Sequence, residues 1–317
     1  MTDTAFPAWH FQKAGRSLYR ESLETPRLAD DEILIENSAS GINPVDWKFI
    51  DDNPLNWPKG RVPGVDGTGI VIATGKGIDD EMVGQRIAYH QSLKLNGSFA
   101  ACTVVKASRV MQLPGKMSYE FAAALPCPML TAWQAVSKIP PKPGSKVLVA
   151  GMGSVNKIAV QLLTRADFEV HALSGSLTSE EAQTLGVAAV HRSADDLRQQ
   201  YFAVIDAVGP DNAAGLVPLL TANGHVVCIQ GRIEKPVDPA FTRTISYHEV
   251  ALGALHDYGS AQDWHELMLE GEALLDDVQA GLIIVEDPVL FPFKELNEAL
   301  DHSKQTKEKT VLGKAPD

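Results

Sequence analysis

A glycine-rich stretch in the middle of the chain constrains the fold more than any other feature of the sequence. Residues 146–150 form an apolar run, Gly151 and Gly153 interrupt it, and residues 157–163 have the apolar spacing of an amphipathic helix. A second apolar run follows and ends at Ser174. A strand, a glycine turn, a helix and a second strand in this order predict a βαβ unit.

The two glycines explain how this turn can bind an anion. Gly151 allows a tight turn out of the strand, and Gly153 allows the backbone to approach a phosphate closely. Ser154 and Val155 then begin the helix, where free backbone N–H groups and the helix dipole favour negative charge. Asn156 stands where the dinucleotide-binding pattern has its third glycine. A structural turn without a ligand is therefore the alternative interpretation of this incomplete pattern.

Short apolar runs continue after this unit and alternate with helical or turn-like segments. They predict a parallel sheet covered on both faces, and right-handed crossovers make such a sheet doubly wound. Because ligands of these sheets bind outside the carboxyl ends of the strands, we expect the cofactor to contact residues there. The further runs are residues 187–191, 203–208, 225–230 and 250–255. The candidate cofactor residues at the strand ends are Gly151, Ser174, Arg192, Val208, Gly209, Gln230 and Gly231.

Two of these residues favour NADP over NAD as the cofactor. A carboxylate after the second strand would bind the ribose 2′-hydroxyl of NAD, but this chain has Ser174 there. An uncharged side chain tolerates a 2′-phosphate, and Arg192 after the third strand can neutralise its charge. A solvated loop arginine is the alternative for Arg192. Glu180 and Glu181 would repel a phosphate unless they face away from it.

Composition excludes several classes of function. The 317 residues are enough for two domains, and a net charge of -12 argues against binding to nucleic acid. No uninterrupted apolar segment is long enough to span a bilayer, and residues 1–10 lack the pattern of a secretion signal. We therefore expect a soluble, cytoplasmic protein. Cys102, Cys127 and Cys228 are spaced too widely for a disulfide framework or a metal clip.

The residue pattern of the sequence changes after about residue 115. Residues 9–115 contain short strands separated by glycine, proline and asparagine, which is typical of a compact antiparallel β domain. The pairs at 43–44 and 63–64 predict turns within it. Residues 118–138 have the pattern of two helical pieces, and the proline-rich segment 140–144 makes a stiff connection into the central sheet. Beyond the sheet the sequence predicts a helix at 263–280, a strand at 281–285, a helix at 294–304 and a strand at 310–312.

Several motifs occur in order and cover nearly the whole chain, at residues 43–48, 63–69, 96–100, 125–134 and 147–155. Together they resemble the medium-chain dehydrogenase/reductase superfamily, specifically its zinc-free quinone oxidoreductase-like branch. The resemblance implies an α/β fold with a GroES-like β-barrel catalytic domain at 1–118, completed by 285–317. It implies a Rossmann cofactor-binding domain, a doubly wound parallel sheet, at 119–284. It also implies NADPH, a contact of Thr131 near the nicotinamide carboxamide, and a homodimer formed through the cofactor domains.

The resemblance also makes a catalytic metal testable. In zinc-dependent relatives the metal is held by a cysteine, a histidine and a second cysteine, and these positions match Asn43, Val65 and Cys127. A catalytic zinc takes three protein donors around an open position, and valine donates nothing. The structural zinc lobe with its four closely spaced cysteines is also missing from the sequence. We therefore expect an enzyme without a metal.

Chemistry without a metal favours conjugated substrates. Reduction of an isolated carbonyl places full negative charge on oxygen, which normally requires a Lewis acid or a strong proton donor. A quinone or an α,β-unsaturated carbonyl compound spreads that charge, so hydrogen bonds can suffice while the nicotinamide supplies the hydride. Two alternatives stay open: an alcohol or aldehyde dehydrogenase of the same superfamily, and a non-catalytic NADPH-binding sensor or scaffold protein.

Four side chains are the candidate catalytic groups. Asn43 and Asp46 begin a motif loop and can bind cofactor ribose or substrate. Lys48 stands where related zinc-free enzymes often place a tyrosine, so it can hydrogen-bond the substrate carbonyl and protonate the product. A surface pair formed by Asp46 and Lys48 is the alternative. Tyr89 is a further candidate proton donor, as is its neighbour His90, whose ordinary pKa would suit that task.

Overall fold

The computed structural model describes residues 5–315 of the chain. Contacts divide these residues into two compact units. Unit 1 comprises residues 5–127, 253–282 and 286–315, and unit 2 comprises residues 128–252 and 283–285. The contacts thus group residues 253–282 with unit 1, whereas the sequence assigned them to the domain at 119–284. The domain boundaries drawn from the sequence stay a prediction.

The first part of unit 1 is built mainly from antiparallel strands. Its elements are β1 (Ala5–His10), β2 (Tyr19–Glu24), β3 (Glu32–Ile42), α1 (Pro44–Asp52), β4 (Asp66–Thr74), β5 (Arg86–His90), β6 (Cys102–Lys106), β7 (Val110–Gln112) and α2 (Tyr119–Ala123). The long strand β3 pairs with β4 along one side and with β6 along part of the other. Alternate residues of these strands, such as Ile33, Ile35 and Val71, are buried and form the core of the sheet.

Three elements of this part were not predicted from the sequence. The strands β1 and β2 form a two-stranded sheet of their own. Asn43 and Pro44 were assigned to a turn, but α1 starts there. Pro44 occupies the first turn of the helix, where a proline leaves no hydrogen bond unmade, and the Asp46 carboxylate accepts a hydrogen bond from the N–H of Asn43. The turn signal at this position was therefore a helix start.

Unit 2 contains a six-stranded parallel sheet, as the sequence predicted. The elements are α3 (Pro126–Ser137), which begins in unit 1, then β8 (Lys146–Ala150), α4 (Ser154–Arg165), β9 (Glu169–Leu173), α5 (Ser179–Leu185), β10 (Ala189–His191), β11 (Tyr201–Asp206), α6 (Pro210–Leu216), β12 (Leu220–Cys228) and β13 (Ser246–Glu249). The strand order is β10-β9-β8-β11-β12-β13, and all five pairings are parallel. The helix α4 buries Ile158, Ala159 and Leu163, which confirms the predicted βαβ unit.

One predicted strand of this sheet was misplaced. The sequence assigned a strand to residues 250–255, but the sixth strand is β13 and a helical turn follows it at residues 252–254. A short apolar run fits a buried strand and a buried helical turn equally well, because neither shows its period over so few residues.

The chain then returns to unit 1. The elements are α7 (Leu255–Tyr258), α8 (Ala261–Gln279), β14 (Val289–Phe291), α9 (Leu296–Thr306) and β15 (Thr310–Gly313). The two predicted helices and the closing strand are confirmed within a few residues. The strand predicted at 281–285 is wrong, because residues 281–285 form no strand and β14 lies further along the chain. β15 pairs with β14 and with β3. Within residues 5–315, no helix combines the length and the apolar surface that a membrane span requires.

Candidate functional site

A group of polar side chains is buried inside unit 1, and we call Asn43, Asp46, Asp66 and Lys309 the buried polar cluster. The first three residues are at most 3% exposed, and the side chain of Lys309 is 8% exposed. Asn43 Nδ2 donates to Asp66 Oδ2 over 2.8 Å, and Lys309 Nζ donates to Asn43 Oδ1 over 2.7 Å. The cluster therefore connects the start of α1, the start of β4 and the residue before β15.

The two carboxyl groups of the cluster lie in an environment that disfavours their charge. Burial raises the pKa of Asp46 to about 7 and the pKa of Asp66 to about 6. Opposing this, Asp46 accepts hydrogen bonds from the N–H groups of Asn43 and Val65 at 2.8 and 3.1 Å. Lys309 Nζ lies 3.8 Å from Asp66 Oδ2 and lowers the pKa of Asp66. Lys309 is thus the buried cation that compensates these carboxylates.

The donors in this region do not fit a catalytic zinc. Of the three positions that match metal ligands in zinc-dependent relatives, Val65 offers no donor atom. The Asn43 amide is bonded at both ends, to Asp66 and to Lys309. The N–H of Cys127 donates to both carboxylate oxygens of Asp66 over 3.0 Å. Within residues 5–315, no three His, Cys, Asp or Glu side chains are grouped so that they could hold a metal ion.

The predicted catalytic residues lie in different surroundings. Asn43 and Asp46 belong to the buried polar cluster, where both hold backbone or side-chain partners. Lys48 lies two residues further along α1 and is partly exposed. Its Nζ lies 5.7 Å from the centroid of the Trp47 ring. Lys48 is therefore the predicted proton donor that keeps access to the surface of unit 1.

Tyr89 and His90 are interior groups of β5. The Tyr89 hydroxyl is fully buried and donates to Asn37 Oδ1 over 2.7 Å, and burial raises its pKa. His90 Nδ1 lies 3.1 Å from His256 Nε2, and burial lowers the pKa of His90 well below its ordinary value. Both side chains thus have hydrogen-bonding partners within unit 1, which counts against a role for either as the proton donor.

The predicted cofactor residues follow neighbouring strands of the parallel sheet in unit 2. Backbone hydrogen bonds link the strand ends: the N–H of Gly151 donates to Leu173 O over 3.1 Å, and the N–H of Ala207 donates to Ala150 O over 3.0 Å. Carboxyl ends of parallel strands meet at one edge, which we call the strand edge. The strand edge carries Gly151, Ser174, Arg192, Val208, Gly209, Gln230 and Gly231.

The turn between β8 and α4 suits the close approach of an anion. Gly151 has a φ of +80°, and a Cβ there would lie 3.1 Å from Val208 Cγ2. Gly153 is the N-cap of α4 and offers no side-chain cap, and a Cβ there would meet no atom within 4 Å. The helix begins with Ser154 and Val155, so their backbone N–H groups stand at an uncapped N-terminus. The residues present fit a dinucleotide pyrophosphate.

Asn156 does not obstruct this turn. The side chain is fully buried and points back to the strand end that precedes it. Its Nδ2 donates to Ala150 O over 3.1 Å and to Gly151 O over 2.6 Å. The position of the third glycine is therefore occupied by a side chain that binds the turn itself.

Ser174 and Arg192 lie beside each other on the strand edge. Arg192 is exposed, and its Nη1 donates to Ser174 O over 2.8 Å. Glu181 Oε2 accepts a hydrogen bond from the N–H of Thr178, the N-cap of α5, over 2.9 Å, and Glu181 forms an ion pair with Lys157 over 3.1 Å. Hydrogen bonds from Thr178 and Lys157 lower the pKa of Glu181 to about 2. The negative charge of Glu181 is therefore partly offset by Lys157, while the Arg192 guanidinium remains at the edge.

Thr131, the predicted contact of the nicotinamide carboxamide, lies on the helix α3 and not on the strand edge.

The sequence analysis missed two polar residues, one at the strand edge and one in the buried polar cluster. Asp206 ends β11, and its Oδ1 accepts hydrogen bonds from the N–H groups of Val208 and Gly209 over 3.0 and 2.8 Å. An aspartate followed by a glycine turn could have given the signal. Lys309 gave none, because its partners come from the other end of the chain.

Comparison with known proteins agrees with this architecture. Residues 29–115 match the alcohol dehydrogenase GroES-like domain. The structure of the quinone oxidoreductase from Coxiella burnetii superposes with a TM-score of 0.81, covering 99% of this chain and 100% of that chain at 20% identity. The chain therefore has the fold of this oxidoreductase, and residues 29–115 match the GroES-like domain family. The match to the GroES-like domain and the six-stranded parallel sheet confirm the predicted fold class.

Two curated plant proteins are similar to this chain. A 2-methylene-furan-3-one reductase of Solanum lycopersicum is 30% identical over 236 residues, which are 68% of this chain and 59% of that protein. The chloroplastic NADPH-dependent alkenal/one oxidoreductase of Arabidopsis thaliana is 27% identical over 234 residues, again 68% of this chain and 59% of that protein. The chain thus spans about three fifths of the length of each of these two relatives.

Proposed function

We propose that the protein is a zinc-independent, NADPH-dependent oxidoreductase that reduces quinones or α,β-unsaturated carbonyl compounds. The donor set around Asn43 carries this choice, because a valine and a fully bonded amide replace two ligands of zinc-dependent relatives. Conjugated substrates spread the negative charge of reduction, so hydrogen bonds can stabilise it. The curated relatives, named for a methylene-furanone and for alkenal/one substrates, support this substrate class.

In this proposal the strand edge of unit 2 binds NADP(H), whose nicotinamide supplies the hydride. The turn at Gly151 and Gly153 binds the pyrophosphate through backbone N–H groups. The exposed guanidinium of Arg192 binds the 2′-phosphate next to Ser174. Val208, Gly209, Gln230 and Gly231 line the remaining edge, and Thr131 contacts the carboxamide end. The name of the Arabidopsis relative, which includes NADPH, supports the choice of cofactor.

Lys48 protonates the reduced substrate in this proposal. Its ammonium group hydrogen-bonds the substrate oxygen while negative charge develops, and then gives up a proton. Asn43 and Asp46 act on this step indirectly, because they fix the start of the helix that carries Lys48. Tyr89 is not assigned a role, since its hydroxyl is buried and bonded to Asn37.

A substrate panel tests the proposed reaction. Oxidation of NADPH and NADH is followed with a quinone, an enal and an enone, and with a saturated ketone of matched size. The expected result is oxidation of NADPH with the conjugated compounds alone. Comparable turnover of the saturated ketone, or oxidation of alcohols with NADP, would favour the dehydrogenase alternative. Tight NADPH binding without turnover of any compound would favour a sensor or scaffold.

We also propose that the protein is a cytoplasmic homodimer. β13 forms one edge of the parallel sheet in unit 2. The backbone groups on the outer side of an edge strand can pair with a second copy of the same strand. Light scattering after size-exclusion chromatography should therefore give twice the mass of one chain, and a monomeric mass would remove this part of the proposal.

A further inference from the structure

Asn156 fixes the orientation of one peptide group in the glycine-rich turn. Its Nδ2 donates to two carbonyl oxygens, those of Ala150 and Gly151, over 3.1 and 2.6 Å. An amide can be placed in two orientations, but the reverse one would set Oδ1 against both carbonyl oxygens. The side chain is therefore committed to holding the Gly151 carbonyl towards the interior.

The orientation of that carbonyl determines where the next N–H points. In a trans peptide the C=O and N–H bonds point in opposite directions, and residues 5–315 contain no cis peptide bond. Because the Gly151 carbonyl points to Asn156, the N–H of Met152 points to the opposite side of the turn. The φ of +80° at Gly151 is the backbone conformation that makes this arrangement possible without strain.

This arrangement has a cost that a purely structural role does not explain. Asn156 Oδ1 is buried and has no hydrogen-bond partner. A buried acceptor without a donor destabilises the folded state, and native proteins contain few of them. A glycine at this position would remove the unpaired oxygen and allow close packing of α4 on β8. The presence of an asparagine is explained if the orientation of the turn favours the binding of a ligand.

We propose that Asn156 is a positioning residue for the cofactor pyrophosphate. It holds the Gly151 carbonyl inward and so directs the Met152 N–H towards the phosphate, a constraint that the usual glycine cannot supply. The inference rests on the proposed binding of NADPH to the strand edge. It concerns the pyrophosphate alone and leaves the contacts of the 2′-phosphate at Arg192 unchanged.

Two ligands separate this role from general damage to unit 2. NADPH carries a pyrophosphate, whereas adenosine 2′-monophosphate carries the 2′-phosphate and no pyrophosphate. In Asn156→Leu, which has a similar volume and no donor, NADPH should bind about tenfold more weakly or worse, as expected for a lost hydrogen bond to a charged group. Adenosine 2′-monophosphate should keep its affinity. Turnover should show a raised KM for NADPH with kcat retained.

A matched variant and a second substitution complete the test. Gln161 is a buried amide on the same helix, and its Nε2 donates to Ile284 O over 2.8 Å, away from the turn. Gln161→Leu should lower the unfolding temperature and leave NADPH affinity unchanged. Asn156→Ala, which cannot clash, should repeat the selective loss if Asn156→Leu folds poorly.

Three results would overturn the inference. They are unchanged NADPH affinity in both Asn156 variants, an equal loss of adenosine 2′-monophosphate, and an equal loss in Gln161→Leu. Failure of the unaltered protein to bind NADPH is a different outcome, which would remove the proposed function and this inference with it.

Discussion

The buried polar cluster and the strand edge hold charge in opposite ways. In the cluster, the protein's own carboxylates are enclosed and compensated by Lys309 and by backbone N–H groups. At the strand edge, glycines expose backbone groups and the helix N-terminus at Gly153 has no side-chain cap. The first arrangement satisfies polar groups that belong to the protein itself, and the second leaves donors for a charge that a ligand brings. Substitutions in the cluster should therefore change mainly the free energy of unfolding, and substitutions at the strand edge should change mainly cofactor binding.

Removal of Lys309 should have the largest effect. Lys309→Met leaves the buried Asp66 carboxylate without its cation, which should lower the free energy of unfolding by about 3–5 kcal/mol. Urea denaturation measures this loss. The loss should be larger at mildly alkaline than at mildly acidic pH, because Asp66, with a pKa raised to about 6, can be neutralised by a proton in acid.

The matched control is Lys304→Met. Lys304 Nζ lies 2.6 Å from Asp51 Oδ2, but its side chain is 50% exposed, so the loss of unfolding free energy should be much smaller than in Lys309→Met. Equal losses of unfolding free energy in Lys309→Met and Lys304→Met would mean that the buried Lys309 stabilises the protein no more than an exposed ion pair does.

The pH dependence of the unfolding free energy should report the raised pKa of Asp46 in the buried polar cluster. Burial raises the pKa of Asp46 to about 7, above its value of about 4 in the unfolded chain. Between these values the folded protein keeps a proton that the unfolded chain has lost, so stability falls as pH rises from about 4 to about 7. The contribution of this group should be about 4 kcal/mol or less. Unfolding free energies across this window should fall less steeply in Asp46→Asn. Asp52→Asn, an exposed change on the same helix, should keep the slope of the unaltered protein.

Lys48 lies on the same helix as Asp46, but its substitution should change turnover and not stability. Lys48→Ala should lower kcat for a conjugated substrate about 100-fold, the usual contribution of a positioned proton donor, with little change in stability. Lys304→Ala serves as the control, because both Nζ atoms lie near the Trp47 ring, at 5.7 and 6.0 Å. Turnover at the rate of the unaltered enzyme would show that Lys48 is not the donor.

The smallest expected effect belongs to the strand edge. Arg192→Ala should weaken NADPH binding about tenfold through the lost contact with the 2′-phosphate, whereas NADH should bind as before. Arg198→Ala, an exposed arginine further along the same loop, is the control. If Arg192→Ala weakened NADPH and NADH equally, the guanidinium would not select the 2′-phosphate. The contrast between a stability region and a binding region would then need another explanation.

Sequence patterns predicted the strand edge better than the buried polar cluster, and the reason is physical. Glycines and apolar runs act over a few residues, so the turn at Gly151 and the parallel strands could be located from local patterns. The partners of Lys309 lie in α1 and β4, and no local pattern joins positions so far apart. Asn43 and Asp46 were recognised through family motifs, but their burial and mutual bonding were not.

Short elements show the limit of periodicity. The strand predicted at 250–255 became a helical turn, and α1 was taken for a turn because a proline marks both a turn and a helix start. Asn156 was identified as a departure from the glycine pattern. Its hydrogen bonds to Ala150 and Gly151 depend on the direction of one side chain, which spacing in the sequence does not fix.

The most direct test of the account is turnover without metal. The protein is washed with a strong chelator, its metal content is determined by elemental analysis, and NADPH-dependent reduction of an enone is measured on the same sample. The account predicts full turnover with far less than one zinc per chain. Loss of turnover on chelation and its return with added zinc would contradict it, as would stoichiometric zinc that the chelator does not remove.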